Sequence, residues 1–223
     1  MHILITGTSS GIGEAIARKF IAEGHEVTGF DVKPAVIEAP NYRHYTVDVR
    51  DEANYPELPP VEILVNNAGI QGNDDIGVNL RGLMKITEHY GIQEKIRSIV
   101  MIGSAGAHTG SEFPEYVASK GGVLAYTKNV ALRIAPYGAT CNSLDFGGVT
   151  TALNRPVMED KKLWEEIMEL TPLHRWMSVE ETADWAYFIS VVNRHCTGQN
   201  ILIDGLEAGN AHFVWPEETA GVQ

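Results

Sequence analysis

Short apolar runs alternate with helical patterns along this chain, and the alternation constrains its fold more than any other feature. Residues 3–5 are typical of a strand, and residues 13–23 place apolar side chains at helical spacing. Further strands are predicted at 26–30, 42–47, 61–65, 98–102, 140–144 and 199–203, and further helices at 114–135 and 179–192. The pattern predicts an α/β fold, a doubly wound parallel sheet of the Rossmann type in three α/β/α layers, with ligands at the carboxyl ends of the strands.

Length and composition narrow the function classes. A chain of 223 residues has room for one domain with a core and a ligand cleft, so a single domain over residues 1–223 is expected. The formal net charge of -12 argues against nucleic acid or an anionic membrane as partner. Cys141, Cys196 and the eight histidines show no metal-binding spacing, so no metal site is predicted. Without an apolar run of membrane-spanning length or a signal-peptide pattern, we expect a cytoplasmic location.

A glycine-rich loop joins the first predicted strand to the first predicted helix. Its spacing is G-x-x-x-G-x-G, which allows a tight turn and lets backbone amides approach a pyrophosphate at the helix N-terminus. Asp31 closes the second predicted strand, where a carboxylate is expected on the ribose hydroxyls and would repel the extra phosphate of NADP. These features predict NAD as cofactor, with contacts from Gly7, Ser9, Ser10, Gly11, Ile12, Gly13 and Asp31.

The same loop also satisfies G-x-S-x-G, the nucleophile elbow of α/β-hydrolases. An elbow on the first strand would lack the earlier loop that supplies an oxyanion-hole amide, so the dinucleotide interpretation is favoured over hydrolysis.

Tyr116 and Lys120 are four residues apart and therefore share one face of the predicted helix 114–135. Free tyrosine titrates near pH ~10 and is a poor base at neutral pH. An ammonium group one turn away stabilises the phenolate and makes the tyrosine able to exchange a proton with an alcohol or a carbonyl.

The glycine loop, Asn66-Asn67-Ala68-Gly69, Ser104 and the Tyr116/Lys120 pair follow one another in the order typical of the short-chain dehydrogenase/reductase family. The chain resembles this family over nearly its whole length, as a compact member with shortened central helices. The resemblance implies an NAD-dependent enzyme that interconverts a secondary alcohol and a ketone by hydride transfer.

The resemblance also implies roles for single residues. Tyr116 would be the general acid/base, and Ser104 would hydrogen-bond the substrate oxygen. Lys120 would hold the nicotinamide ribose and lower the tyrosine pKa, and Asn79 would extend a proton relay through water. The cofactor site would further include Asp48 and Val49 at the adenine, Thr151 at the nicotinamide amide, and Asn67, Ala68, Gly69, Tyr116, Lys120, Gly147 and Val149.

The sequence departs from the family pattern at three places. The connections after Asp31, after Asp48 and between Gly69 and Asn79 are short, so one flank of the sheet should be trimmed and a common dimer contact is in doubt. Some hydroxysteroid dehydrogenases and carbonyl reductases of the family are trimmed similarly, which favours such apolar carbonyl substrates. Phe146 stands where the family has proline, and a tail at 205–223 follows the last strand.

Residues 150–172 should form a substrate lid with an amphipathic stripe, and His108, four residues after Ser104, is a candidate for the mouth of the cleft. We expect a homodimer or homotetramer built through helix 114–135 or the last strand. One alternative function stays open, a non-catalytic NAD-binding sensor or scaffold on the same fold. A sugar-nucleotide epimerase is disfavoured because the chain has no residues for a separate substrate region.

Overall fold

A seven-stranded parallel sheet forms the centre of the computed structural model, which describes residues 1–111 and 113–209. The strands lie in the order β3-β2-β1-β4-β5-β6-β7, which confirms the predicted doubly wound Rossmann-type sheet. Their bounds are His2–Thr6 for β1, Glu26–Asp31 for β2, Tyr42–Thr46 for β3, Ile63–Asn66 for β4, Ser98–Ile102 for β5, Thr140–Phe146 for β6 and Asn200–Ile203 for β7.

Helices cover both faces of the sheet. The first three are α1 at Gly11–Ala22, α2 in three consecutive segments at Ile76–Gly82, Leu83–Ile86 and Thr87–Gly91, and α3 at Gly106–Thr109. They are followed by α4 at Pro114–Ile134, α5 at Arg155–Glu159, α6 at Lys161–Leu170 and α7 at Val179–Tyr187, which continues as a π-helical segment at Phe188–Val192. α1 packs beside α7 on one face, and α2 packs beside α4 on the other.

Two hydrophobic cores result from the alternation of side chains along the strands. Ile3 and Ile5 of β1 point to the α1/α7 face, whereas Leu4 between them points to the α2/α4 face. The central strands are buried on both faces, which is why they occur as nearly continuous apolar runs in the sequence.

One flank of the sheet lacks helices, as the short connections predict. Residues 32–41, between β2 and β3, contain no helix, and residues 47–62 contain only a short 3-10 turn at Glu52–Asn54. By contrast, α2 is absent from the sequence-based prediction. Glycines at positions 77, 82 and 91 lower its helix propensity, and its first and last segments have π-helical hydrogen bonding.

Phe146 extends β6 by two residues beyond the prediction, and its buried ring packs in the core on the α1/α7 face. Of the C-terminal tail named above, residues 210–223 lie outside the described residues. Within residues 1–111 and 113–209, none of the helices combines the length and the hydropathy that crossing a membrane requires.

The packing of α2 against α4 can be tested with two adjacent glycines of α4. A Cβ at Gly121 would meet no atom within 4 Å, whereas a Cβ at Gly122 would lie 2.6 Å from Leu80 Cδ2. Gly121→Ala should raise the free energy of unfolding by about 0.5–1 kcal/mol through helix propensity. Gly122→Ala gains the same propensity but overpacks, so it should be about 1–3 kcal/mol less stable than Gly121→Ala in urea unfolding. Equal stability of the two variants would contradict this packing.

Candidate active site

The loops that follow β1 to β6 lie at the carboxyl edge of the sheet, because all these strands run parallel. The candidate residues predicted from the sequence are on these loops, at the end of β2, at the start of α1, on the adjoining part of α2 and on the first turns of α4. This edge is where open α/β sheets bind ligands.

The loop after β1 is clamped by the loop after β4. Thr6 Oγ1 accepts hydrogen bonds from the backbone N–H groups of Asn67 and Ala68, both at 3.0 Å. The Asn67 side-chain amide donates to the backbone carbonyls of Thr6 at 3.0 Å and Gly7 at 3.2 Å. The two loops therefore hold each other in one arrangement.

Glycine is required in the clamp for two reasons. Gly7 has φ +78°, in the left-handed region, and a Cβ on Gly13 would overlap the Gly7 carbonyl oxygen. Gly11, at the start of α1, also has a positive φ, but a Cβ there would meet only the Thr151 side chain, at 3.6 Å. The Thr151 side chain thus lies close to the start of α1, and the N-terminus of this 12-residue helix favours a phosphate. These features fit a dinucleotide.

Asp31, at the end of β2, stiffens the same loop. Its carboxylate accepts the backbone N–H of Ser9 at 2.9 Å and that of Lys33 at 2.9 Å. The Ser9 hydroxyl donates to the Pro34 carbonyl at 2.8 Å. The negative charge of Asp31 is therefore fixed beside the glycine loop.

Asp48, after β3, belongs to a surface ion network. Arg50 bonds its carboxylate at 2.7 Å and reaches Asp74 at 2.8 Å. The hydrogen bond from Arg50 is the main cause that lowers the pKa of Asp48, with burial opposing it. Val49 is buried against α2, where a Cβ on Gly82 would lie 2.6 Å from its side chain.

Tyr116 and Lys120 meet on the first turns of α4, as the four-residue spacing predicts. The Lys120 Nζ lies 5.7 Å from the centroid of the Tyr116 ring, in a cation–π arrangement. The ammonium group is buried and donates to the Ile102 carbonyl, at the end of β5, at 2.8 Å. Helix α4 is thereby fastened to the sheet beside the tyrosine.

Asn79 is connected to the same helix. Its carboxamide exchanges two hydrogen bonds with the backbone of Ile70, both at 2.8 Å, and donates to Ser119 Oγ at 3.2 Å. Ser119 Oγ in turn donates to the Tyr116 carbonyl at 2.6 Å. Asn79 is therefore connected to Tyr116 through Ser119, which immediately precedes Lys120 on the same helix.

Ser104 follows β5 and is buried, with Oγ accepting the Gly106 backbone N–H at 3.1 Å. The next residue, Ala105, donates its N–H to the Phe146 carbonyl at 2.9 Å, so the pairing of β5 with β6 continues beyond the two strands. This pairing fixes Ser104 relative to Gly147, the residue after β6.

The loop after β6 is packed tightly from behind. Gly147 lies against Asp204, and a Cβ on Gly148 would overlap the Trp176 indole. Val149 is buried and pairs with Met177, and the N–H of Thr151 donates to the Val149 carbonyl at 2.9 Å. The segment from Gly147 to Thr151 is therefore positioned by its neighbours although proline is absent.

Asp145 is a buried residue near the site that the sequence analysis missed. Its carboxyl group is hydrogen-bonded to His108 Nε2 at 2.7 Å, as the acceptor when it is ionised and as the donor when it is protonated. Burial raises the pKa of Asp145, and the bond to His108 opposes that rise. The available signal was an acidic residue inside an otherwise buried strand.

Comparison with known proteins agrees with this geometry. A family model described as enoyl-(acyl carrier protein) reductase matches residues 7–205. The chain is 27% identical to 2-(R)-hydroxypropyl-CoM dehydrogenase of Xanthobacter autotrophicus, with 91% of this chain and 96% of that protein covered.

Solved structures are also similar. Ligand-free aldohexose dehydrogenase of Thermoplasma acidophilum has a TM-score of 0.85 and 28% identity, with 97% of each chain covered. A putative 2-deoxy-D-gluconate 3-dehydrogenase of Agrobacterium tumefaciens with bound NADP has a TM-score of 0.83 and 26% identity, covering 94% of this chain and 96% of that one.

The fold and the loops at its carboxyl edge define a dinucleotide-binding oxidoreductase. The chain belongs to the short-chain dehydrogenase/reductase family, whose enzymes act on alcohol and ketone groups with a nicotinamide cofactor. Within the part of the chain that the structure describes, no three histidine, cysteine or acidic side chains are grouped to hold a metal ion.

The hydrogen bonds of Asn79 can be tested with the isosteric change Asn79→Asp. The carboxylate cannot donate to the Ile70 carbonyl and would be ionised in a site where Asn79 is 1% exposed. We expect the free energy of unfolding at neutral pH to fall by about 3 kcal/mol in urea titrations. The exposed Asn73→Asp is the control and should change stability by less than about 0.5 kcal/mol. An Asn79→Asp variant as stable as the wild type would show that these hydrogen bonds contribute little to the free energy of unfolding.

Proposed function

We propose that the protein is an NAD-dependent dehydrogenase or reductase that interconverts a secondary alcohol and a ketone. The observation that carries the proposal is the connected group formed by Tyr116, Lys120 and Asn79 beside Ser104, at the edge of the sheet where the glycine loop opens.

In this proposal Tyr116 exchanges a proton with the substrate oxygen at its phenol group. The buried Lys120 ammonium faces the ring and stabilises the phenolate that forms when the proton has left. Ser104 hydrogen-bonds the same substrate oxygen and orients it. The nicotinamide supplies or accepts the hydride when it is bound.

In the proposal Asn79 extends a proton relay through water, as the resemblance to the family implies. Its bonds to Ile70 and Ser119 also fix the first segment of α2 against α4, the helix that carries the tyrosine and the lysine. Both hydrogen-bonding groups of its carboxamide are used within the protein, and Asn79 is therefore held in one orientation.

We propose NAD over NADP because of Asp31. Its carboxylate is held beside the glycine loop by Ser9 and Lys33, and it would repel a phosphate on the adenosine ribose. Beyond the glycine loop, Tyr116 and Lys120, the remaining proposed cofactor contacts are Asp48, Val49, Asn67, Ala68, Gly69, Gly147, Val149 and Thr151.

The proposed substrate is an apolar carbonyl compound or alcohol, with hydroxysteroids among the candidates. Helices α5 and α6 form the proposed lid over residues 150–172, and Trp164 of α6 packs edge to face on Trp176 with ring centroids 5.0 Å apart. This aromatic pair gives the lid an apolar underside next to Gly148.

We further infer a single domain over residues 1–223 and a homodimer or homotetramer. The exposed Leu132 on α4 and the exposed Phe188 and Val192 after α7 support association through these helices. The free thiols Cys141 and Cys196 are consistent with the proposed cytoplasmic location.

The central test is NADH formation from NAD and a panel of secondary alcohols, hydroxysteroids included, by the wild type and by Tyr116→Phe. Loss of the phenol should reduce the rate by a factor of about 10²–10⁴ while NAD affinity stays within a few-fold. Tyr137→Phe, at the opposite edge of the sheet, is the matched control and should keep the wild-type rate.

If NAD binds but neither the alcohols with NAD nor the matching ketones with NADH react, the proposed activity is wrong. The non-catalytic sensor would then be the better interpretation. If the wild type and Tyr116→Phe have equal rates, the proposed role of Tyr116 is wrong but the proposed activity is not.

Cofactor preference is tested with Asp31→Asn, which removes the charge and keeps an acceptor oxygen for one N–H group. We expect kcat/KM for NADP to rise about 10-fold or more relative to NAD, because the carboxylate charge that repels the phosphate is then absent. Asp51→Asn, on an exposed turn, is the control and should leave the ratio unchanged. A wild type that already prefers NADP would contradict the proposal.

A further inference from the structure

Asp145 is a buried acidic residue that the proposed mechanism does not use. It lies on β6, is fully buried, and pairs with His108 at 2.7 Å. A Cβ on Gly103 would overlap Asp145 Oδ1, so glycine is required immediately before Ser104. The carboxylate thus lies under the turn that carries Ser104.

Burial of Asp145 and the charges near it favour some protonation forms of the His108–Asp145 pair over others. An isolated carboxylate without solvent contact is costly, and burial raises the pKa of Asp145, whereas His108 and the nearby charge of Lys120 oppose that rise. With Nε2 bonded to Asp145, Nδ1 of His108 is a donor when the pair holds two protons and an acceptor when it holds one. The form with two protons has no net charge, which the burial of Asp145 favours.

The other edge of the histidine ring is available for a ligand. The His108 side chain is 28% exposed, and among the described residues its Nδ1 has no hydrogen-bond partner. His108 is on α3, the turn that begins two residues after Ser104, where Ala107 N–H bonds the Ser104 carbonyl at 3.1 Å. An imidazole held by a buried carboxyl group therefore lies within one helical turn of the residue proposed to bind the reacting oxygen.

We propose that His108, oriented by Asp145, binds a second acceptor oxygen of the substrate through its Nδ1–H. The substrate class is a keto or hydroxy compound with a carbonyl, ester or carboxylate oxygen a few bonds from the reacting carbon. This inference rests on the proposed function, because it takes Ser104 as the contact to the reacting oxygen. His108 is then a specificity-determining residue, and Asp145 is a positioning residue that acts through it.

The test compares two ketones of matched chain length, methyl acetoacetate and 2-hexanone, in their complexes with the NAD-bound enzyme. Because NAD is the oxidised cofactor, it cannot reduce a ketone in these complexes, and calorimetry therefore measures binding alone. Methyl acetoacetate should bind about 10-fold more tightly, the value of one well-placed hydrogen bond. Acetoacetate is a third ligand that shows whether a charged oxygen is preferred to a neutral one.

The informative variant is His108→Gln. Its amide N–H group can still reach Asp145, and its acceptor oxygen replaces the outward donor. The preference for methyl acetoacetate over 2-hexanone should disappear in this variant, and the NMR shift of the His108 Nδ1 nitrogen in the wild type should move when the ester is added. His195→Gln, exposed on the loop before β7, is the control and should keep the preference.

Equal affinities for the two ketones in the wild type overturn the inference, as does a preference that survives in His108→Gln. Failure of all three compounds to bind also overturns it. Turnover is measured separately with NADH. A binding preference that depends on His108, with no turnover of any alcohol or ketone in the panel above, would support the ligand contact at His108 and refute the proposed function.

Discussion

The hydrogen bonds between the loops after β1 and β4 are the constraint on which the rest of the site depends. The Asn67 amide and the Thr6 hydroxyl join two neighbouring strands just where their pairing ends. With these loops fixed, the glycine turn has one shape, α1 begins at Gly11, and the Asp31 carboxylate finds the Ser9 N–H. A change at this junction would therefore reach both the cofactor loop and the helix behind it.

The opposite half of the site depends on buried polar contacts between helices. Asn79, Ser119 and Lys120 tie α2, α4 and the end of β5 together with short hydrogen bonds away from water. Such bonds contribute modestly when they are made and are costly to leave unmade. They favour one register of α4 against the sheet, and with it one position for the Tyr116 ring.

The sequence was sufficient to predict the central strands because their burial on both faces leaves continuous apolar runs. It was also sufficient for the proximity of Tyr116 and Lys120, which depends only on helical spacing. α2 was missed because its glycines and π-helical segments weaken the periodic pattern. The His108–Asp145 pair was missed because the two residues are 37 positions apart and meet only when β5 is paired with β6.

The trimmed flank gives the two ends of the site different sensitivities to salt. Near Asp48 the shape of the loop depends on Arg50, which lies at the surface between the half-buried Asp48 and the exposed Asp74. Ion pairs of this kind are screened over a Debye length of about 8 Å at physiological ionic strength. The end of the site near Tyr116 is built from buried bonds that salt hardly reaches. Ionic strength should therefore loosen one end of the site and leave the other unchanged.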